Sequence, residues 1–233
     1  MTEYLRKRIG NFDLYINSQE MLQDSSEVVI SRKMNWINLT LKRLIDLVFA
    51  FVFMVFIGWW LFPIVAILIK LDSKGPVFFK QEREGIYNSK FRCYKFRSMV
   101  VNNEADLKMA TKNDPRITRV GKFLRKSSID ELPQVLNVIY GNMSFVGPRP
   151  HILVQNNAHE LEIEGYKNRH LVKPGITGLA QAKGYRGETN ESNSIYFRYK
   201  LDMHYIKTWS PVLDLKIIWW TAKSLVTGHE NAF

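Results

Sequence analysis

The sequence predicts a mostly helical α/β domain with a small sheet, held at a membrane by a helix near its N-terminus. Three observations predict this fold class. About 23 residues from Leu47 to Ile69 carry no charge, and as a helix they would be roughly 35 Å long, enough to cross the apolar core of a bilayer. Two short runs, "GPVFFKQEREG" and "KFRCYKFRSM", have the aromatic and apolar content of strands. Two later segments place apolar residues with the period of a helix.

Length and composition restrict the class of protein. A chain of 233 residues suffices for one domain of ordinary size plus an appendage. Hydrophobic residues make up 46% of the chain, which excludes a disordered basic tail. The net charge of +11 indicates an anionic partner, either nucleic acid, a phosphorylated small molecule or an acidic membrane face. Cys93 is the single cysteine, so no intramolecular disulfide can form.

The apolar segment is interpreted as a membrane helix because aromatic side chains cover all of its faces; a buried core helix is the alternative. Pro63 removes a backbone hydrogen bond inside it and predicts a bend. Lysines and arginines flank both ends, which fits two ends on the cytoplasmic face. We therefore expect a re-entrant helix over 38–72, an extension of unknown role over 1–37, and the remaining domain over 73–233. Asp46 is either a surface charge at the membrane boundary or a salt-bridge partner of Lys42 and Arg43, one turn earlier, and we expect the pairing.

Two helices follow from apolar spacing. "ELPQVLNVIYG" places apolar residues on one face, and Gly141 stands where the helix should end. Near the C-terminus, "LDLKIIWWTAKSLVTG" repeats the pattern and contains Trp219 and Trp220. This last helix fits the membrane interface, where indole rings are favoured, and fits a core-facing position equally well.

The adjacent carboxylates Asp130 and Glu131 form the first candidate site, directly after the basic segment "VGKFLRK". Pro133 costs no intrahelical hydrogen bond only in a first turn, so a helix should begin close to Asp130. A helix start beside Arg125 can hold phosphate or keep a carboxylate ionised, ready to act as a nucleophile or a metal ligand. The structural alternative is a helix cap made by Asp130, or a capping box of Ser128 and Glu131.

Two further motifs carry cations in constrained loops. Arg149 stands between two prolines in "GNMSFVGPRPH", a rigid setting that suits phosphate recognition and equally suits a plain surface turn. "VKPGITGLAQAKGYRGET" combines Lys173 and Arg186 with four glycines but matches neither a P-loop nor a dinucleotide fingerprint. In "YKFRSM", Lys95 and Arg97 either line the same pocket or lie on a solvated strand face. The five histidines have no zinc-type spacing.

Taken together and in order from Asn38 to Leu225, these segments resemble the bacterial sugar transferases called monotopic phosphoglycosyl transferases. The carrying block is "DPRITRVGKFLRKSSIDELPQVLNVIYGNMSFVGPRPH". The resemblance implies a compact, mostly helical α/β catalytic domain with a small sheet, a re-entrant membrane hairpin and interfacial amphipathic helices. Many members have Ser before the hairpin proline, whereas this chain has Phe62, so the bend must rely on Pro63 and its neighbours.

The resemblance also implies an activity. Asp130 would attack the sugar-bearing phosphorus of a UDP-sugar, releasing UMP, and the phosphosugar would pass to undecaprenyl phosphate at the cytoplasmic face of the bacterial inner membrane. Glu131 would bind Mg²⁺. The resemblance carries over Arg125, Arg149 and Arg186 as phosphate and nucleotide contacts, and Asp202 as an acidic position of the family. The predicted set of substrate-binding residues is completed by four others: Lys95, Arg97, Lys173 and His151. No nucleic acid partner is expected, and the sequence leaves the sugar and the oligomeric state open.

Two rival functions remain at this stage. A basic, membrane-bound protein that binds anions without catalysis would account for the charge but not for the Pro-Arg-Pro loop beside paired carboxylates. An ordinary glycosyltransferase would release UDP instead of UMP, so the nucleotide product separates it from phosphosugar transfer.

Overall fold

The computed structural model describes residues 36–101, 114–185 and 192–227, together with the backbone of two N-terminal strands. These are β1 (Tyr4–Ile9) and β2 (Phe12–Asn17), which pair as an antiparallel hairpin that the sequence analysis did not predict. Helices dominate the rest of the described chain, as expected, and the sheets there are small, each of two strands.

One long apolar helix runs from Trp36 to Asp72, in three pieces: α1 (Trp36–Phe53), a π-helical turn (Met54–Gly58) and α2 (Trp59–Asp72). Within the described residues it is the one helix long and apolar enough to cross a membrane, a property that core helices also have. Its outer face exposes large apolar side chains, with Phe56 at 70% and Trp59 at 68% exposure. Lipid is the environment that suits such a face.

The axis of this helix bends at the π turn. In a straight helix, Phe53 and Phe62 would be separated by about 13 Å along the axis and would point to different faces. Their ring centroids are instead 6.2 Å apart. Phe62 also meets Phe96 edge-on at 5.1 Å, so the residue before Pro63 fills the inside of the bend. The indole of Trp60 donates a 2.9 Å hydrogen bond to the carbonyl of Phe56, supplying a side-chain bond to the backbone that Phe62 cannot make.

The start of α1 is docked to the domain by charged side chains. Lys42 donates to Asp214 at 2.7 Å and to the carbonyl of Val146 at 3.0 Å, and all of these groups are buried. Asp46 accepts hydrogen bonds from Ser144 and the next backbone amide. The predicted pairing of Asp46 with Lys42 is therefore wrong in its partners: each residue reaches across to the domain.

The domain itself follows the predicted order. β3 (Phe78–Glu84) and β4 (Lys90–Phe96) form the predicted antiparallel pair. Short helices come next, α3 (Arg119–Lys126) and α4 (Gln134–Tyr140), the latter ending at Gly141 with positive φ as expected. The remaining elements are β5 (Ser144–Val146), α5 (Leu153–Glu162), a 3₁₀ turn (Tyr166–Leu171), β6 (Gly175–Thr177), α6 (Leu179–Ala182), α7 (Ser192–Thr208) and α8 (Pro211–Thr227).

The largest apolar cluster lies between α7, α8, β5 and the 3₁₀ turn at Tyr166. In α8, Ile217 is fully buried in this cluster, whereas Trp219 is exposed. The last helix therefore presents one face to the core, as the core-facing alternative predicts, and keeps an indole outside. Its position at a membrane interface stays a prediction.

Candidate active site

Asp130 and Glu131 lie in a 3₁₀ turn (Ile129–Glu131) immediately before α4. The preceding Ser128 has left-handed backbone angles and makes no capping bond with its side chain, and Pro133 occupies the N-cap of α4. The helix thus begins near the carboxylates, as predicted, but neither carboxylate caps it. The structural alternatives of an Asp130 cap and a capping box are wrong, which leaves both side chains available for another role.

Glu131 is gripped by two cations. Its Oε1 accepts hydrogen bonds from Lys95 Nζ at 2.7 Å and from Arg149 Nη2 at 2.6 Å, and its Oε2 accepts from Arg149 Nη1 at 3.0 Å. The contact with Arg149 is bidentate, the geometry in which a guanidinium holds a carboxylate most firmly. Glu131 therefore has a fixed orientation.

Asp130 has the opposite surroundings. Only 9% of the residue is exposed, yet no residue in the described ranges donates a hydrogen bond to its carboxylate. Burial raises the pKa of Asp130 to about 6; Lys95 opposes this shift most strongly, and Arg125 opposes it less. Burial also acts to raise the pKa of Glu131, but Arg149 and Lys95 outweigh it and hold that pKa well below its ordinary value. Glu131 is thus an anion in a fixed orientation, whereas the carboxylate of Asp130 accepts no hydrogen bond from the described residues.

Two hydrogen bonds made by the side chain of Asn137 fix α4, which follows the carboxylates, against β4, which carries Lys95. Asn137, on α4, accepts from the backbone amide of Tyr94 at 2.9 Å and donates to the carbonyl of Arg92 at 2.8 Å. These bonds continue the edge of β4 with a side chain, so α4 cannot slide along the strand. Because Lys95 follows on the same strand, its ammonium reaches Glu131.

A small, open pocket lies beside Lys95 and Arg149, the two cations that hold Glu131. It is lined by Arg83, Cys93, Lys95, Gln134, Arg149 and Pro150. Three of these six side chains are cationic, and the nearby anion Glu131 is already engaged. A pocket with this charge suits a phosphorylated ligand.

The glycines of "VKPGITG" support the Arg149 loop from behind. β5 and β6 pair in parallel, and a Cβ on Gly147 would lie 2.5 Å from the carbonyl oxygen of Lys173. A Cβ on Gly175 would lie 2.1 Å from the amide of Gly147. These glycines therefore allow two backbones to touch, which explains a motif that matched no phosphate-binding fingerprint.

The structure brings some of the predicted residues together and separates others. Lys95 and Arg149 contact Glu131, and the charge of Arg125 acts on Asp130. Arg97 lies elsewhere: it is buried and donates to the carbonyls of Ser73 and Lys74 at the end of the long helix.

The other predicted residues that the structure describes, His151, Asp202 and Lys173, do not contact the carboxylates. His151 is buried against Tyr166, and burial together with nearby arginines holds its pKa well below the ordinary value. Asp202 is buried in an ion pair. Lys173 lies near Arg43 beside Gly141, and Arg186 lies outside the described residues. Substrate contact by these four residues and by Arg97 stays a prediction.

Sequence reasoning missed Arg83, Gln134 and Arg169. Arg83 lines the pocket from β3, and its position in the run "KQERE" looks like ordinary strand-surface charge. Arg169 is 1% exposed, and only its neighbours in space distinguish it from a surface arginine. Gln134 is buried at the start of α4. Its position close to the predicted carboxylates in the sequence was the one signal that could have identified it.

The carboxylates are compatible with Mg²⁺ that arrives with a phosphorylated ligand. Among the described residues no group of three acidic, histidine or cysteine side chains is arranged to hold a metal ion. Mg²⁺, however, commonly takes one or two protein carboxylates and completes its shell with water and substrate phosphate. Among the described residues none donates a hydrogen bond to the carboxylate of Asp130, and one donates to Glu131 Oε2.

A bent apolar helix and a carboxylate pair beside cations are the features expected of a membrane-associated protein that binds anionic ligands. The family model described as "Bacterial sugar transferase" matches residues 37–228, and the chain belongs to this family.

Similar proteins cover most of the chain. A UDP-glucose:undecaprenyl-phosphate glucose-1-phosphate transferase of Klebsiella pneumoniae is 48% identical over 189 residues, 81% of this chain and 40% of that protein. One of the same name from Xanthomonas campestris pv. campestris is 43% identical over 229 residues, 95% of this chain and 47% of that protein. The chain thus spans less than half the length of these two relatives. Exopolysaccharide production protein PSS of Rhizobium leguminosarum bv. phaseoli is 41% identical over 199 residues, 83% of this chain and 99% of that protein.

Proposed function

We propose that the protein transfers a sugar 1-phosphate from a UDP-sugar to undecaprenyl phosphate, yielding undecaprenyl-diphosphate-sugar and UMP. Such a step begins the assembly of exopolysaccharide, capsule or O-antigen repeats. The names of relatives that cover most of this chain support the reaction, and the production of exopolysaccharide by a relative of similar length supports the pathway.

The single observation that carries the proposal is the contrast between the two neighbouring carboxylates. Glu131 is held by three hydrogen bonds from Lys95 and Arg149, whereas Asp130 receives none from the described residues. A nucleophile must have an oxygen free to approach phosphorus, and an orienting residue must not move. Asp130 fits the first requirement and Glu131 the second.

In the first half-reaction an Asp130 oxygen forms a bond to the sugar-bearing phosphorus. The bond between that phosphorus and the bridging oxygen breaks, and UMP leaves with the electron pair. In the second half-reaction a phosphate oxygen of undecaprenyl phosphate attacks the same phosphorus, which breaks the bond to Asp130 and restores the carboxylate. Lys95 and Arg149 stabilise the negative charge that develops on the phosphoryl oxygens.

A bound Mg²⁺ supplies neutralisation of the diphosphate charge and stabilisation of the leaving group. Glu131, with Asp130 beside it, would hold the ion. Arg149 keeps Glu131 oriented, so the protein sets the place of the ion through a hydrogen-bonded carboxylate.

The proposed site of action is the cytoplasmic face of the bacterial inner membrane, with the long helix entering and leaving on that face. The contact between Phe53 and Phe62 and the basic residues on both flanks support a re-entrant helix. Cysteines introduced near Lys33 and near Ser73 should be labelled from the same side of a sealed vesicle. Labelling from opposite sides would show a spanning helix.

The deciding experiment measures nucleotide release from a panel of UDP-sugars by detergent-solubilised protein with undecaprenyl phosphate and Mg²⁺. UDP-glucose is tested first, and UDP-N-acetylgalactosamine is included because a 45% identical relative of Aeromonas hydrophila is named for that sugar. UMP release by the unmutated protein and none by Asp130→Asn is the expected result. Release of UDP, or full activity of Asp130→Asn, would contradict the proposal.

A further inference from the structure

The loop that carries Arg149 has all three of its carbonyls occupied. The carbonyl of Pro148 accepts from the amide of Gly175 at 2.9 Å. The carbonyl of Arg149 accepts from Arg169 Nη2 at 2.8 Å, and that of Pro150 accepts from Arg83 Nη1 at 3.0 Å. The prolines restrict the backbone angles, but these donors fix where the loop stands relative to the rest of the domain.

Arg169 is a rigid donor. Its Nε and Nη2 both bond Asp202, at 3.2 and 2.7 Å, and its Nη1 lies 3.1 Å from the hydroxyl of Tyr166 and 3.0 Å from His151 Nδ1. With the bond to Arg149, four of the five N–H groups of the guanidinium have acceptors, and Nη1 also lies within hydrogen-bond distance of His151 Nδ1, which the hydroxyl of Tyr166 approaches to 2.6 Å. Asp202 thus acts on the loop through Arg169, from a position that is 2% exposed.

Arg83 is the second side chain that holds the loop, through the carbonyl of Pro150. It lies on β3, where Gln81 accepts from its Nη2, and its backbone forms an isolated bridge with Ile152 just beyond the loop. The side chain and the backbone of one residue therefore both tie the loop to the sheet that carries Lys95.

We propose that Arg83 and Arg169 are positioning residues that hold the Pro-Arg-Pro loop so that Arg149 meets Glu131 in a bidentate contact. The inference rests on the proposed function, because the reaction is what makes the placement of Arg149 matter. Two guanidiniums from different elements donate to consecutive carbonyls of the loop, which leaves the loop little room to shift. A shift of about 1 Å in such a group can lower a rate on the order of 100-fold.

A double-mutant cycle tests whether these residues act through Arg149. Arg83→Lys keeps the charge but loses the fork, and it should lower kcat for UMP release by about 10- to 100-fold. In an Arg149→Lys background the same change should alter kcat by less than about twofold, since the group to be positioned is gone. Arg92→Lys, on the exposed side of β4, is the matched control and should leave activity unchanged. Additive losses would mean that Arg83 acts on its own, which would overturn the proposal.

Hydrogen exchange gives a second readout that needs no turnover. In Arg83→Lys and Arg169→Lys, a peptide spanning residues 147–152 should exchange severalfold faster than in the unmutated protein, while it stays unchanged in Arg92→Lys. Unchanged exchange in folded Arg83→Lys would overturn the positioning role. If the unmutated protein releases no nucleotide, the proposed function fails, and the exchange of this peptide still decides whether the two arginines hold the loop.

Discussion

Lys95 controls whether Asp130 is ionised. Burial raises the pKa of Asp130 to about 6, and Lys95 is the strongest of the charges that oppose this shift. Replacing Lys95 by Met removes that charge while keeping an unbranched side chain on β4. We expect the pKa of Asp130 to rise by about one further unit, the smaller end of the effect of a neighbouring opposite charge.

The magnitude follows from the fraction of ionised carboxylate. With a pKa of about 6, roughly half of Asp130 is ionised at pH 6; with a pKa of about 7, only about one tenth is. The acid limb of kcat/KM, which reports the free enzyme, should therefore move up by about one unit and cost about fivefold at pH 6. This part of the loss should vanish by about pH 9, and any loss of phosphate binding adds a factor that is the same at every pH.

The assay is UMP release at limiting UDP-sugar between pH 5 and pH 9. Lys95→Arg is the matched control, because it keeps the charge and should leave the acid limb in place. An acid limb at the same pH in Lys95→Met and in the unmutated protein would refute the assignment of that limb to Asp130 beside Lys95.

Three further predictions concern stability. Because burial raises the pKa of Asp130 in the folded protein above its ordinary value of 3.8, Asp130→Asn should stabilise the fold by about 3 kcal/mol at pH 8, and this gain should fade as the pH drops from 6 to 4; thermal unfolding at each pH measures it. Asp214→Asn strands the buried ammonium of Lys42 and should cost about 3–5 kcal/mol, read as a loss of folded protein by size-exclusion chromatography in detergent. Trp60→Phe removes the bond to the carbonyl of Phe56 and should lower stability by about 1 kcal/mol in thermal unfolding.

Each of these has its own control. For Asp130→Asn, a gain that persists unchanged at pH 4 would contradict the link to ionisation. Glu160→Gln breaks the exposed pair with Lys167 and should cost little, unlike Asp214→Asn. Trp59→Phe alters an exposed neighbour that makes no such bond in the described structure. A loss in Trp59→Phe equal to that in Trp60→Phe would mean that the indole bond contributes nothing.

Local patterns predicted those parts of the fold that local patterns determine. The aromatic and apolar run in "GPVFFKQEREG", bounded by glycines, predicted β3, and the helical spacing of apolar residues in "QVLNVIY" predicted α4. The position of the carboxylate pair at the start of α4 was also predictable from a local feature, because Pro133 is tolerated only in the first turn of a helix.

Polar partners far apart in the chain could not be predicted. Asn137 reads as an ordinary helix residue, yet it completes the edge of β4. Arg97 and Lys95 are two residues apart and were grouped together, but their partners differ. Lys95 donates to Glu131, whereas Arg97 donates to the carbonyl of Ser73, just after the long helix. A hydrogen-bonded polar side chain has no periodic signature, so its partner becomes visible only once the backbone path is known.

The pairing of Lys42 with Asp214 joins residues 172 positions apart in the sequence. During synthesis the long apolar helix is made before Asp214, the anion that neutralises its lysine. Until α8 is made, the ammonium of Lys42 lacks its neutralising partner Asp214. The contact between the long helix and the domain is therefore completed only after α8 has formed. A contact of such long range also slows folding, because the intervening chain must be closed before the contact forms. A shortened version without α8 should therefore insert its helix but fail to assemble the domain against it.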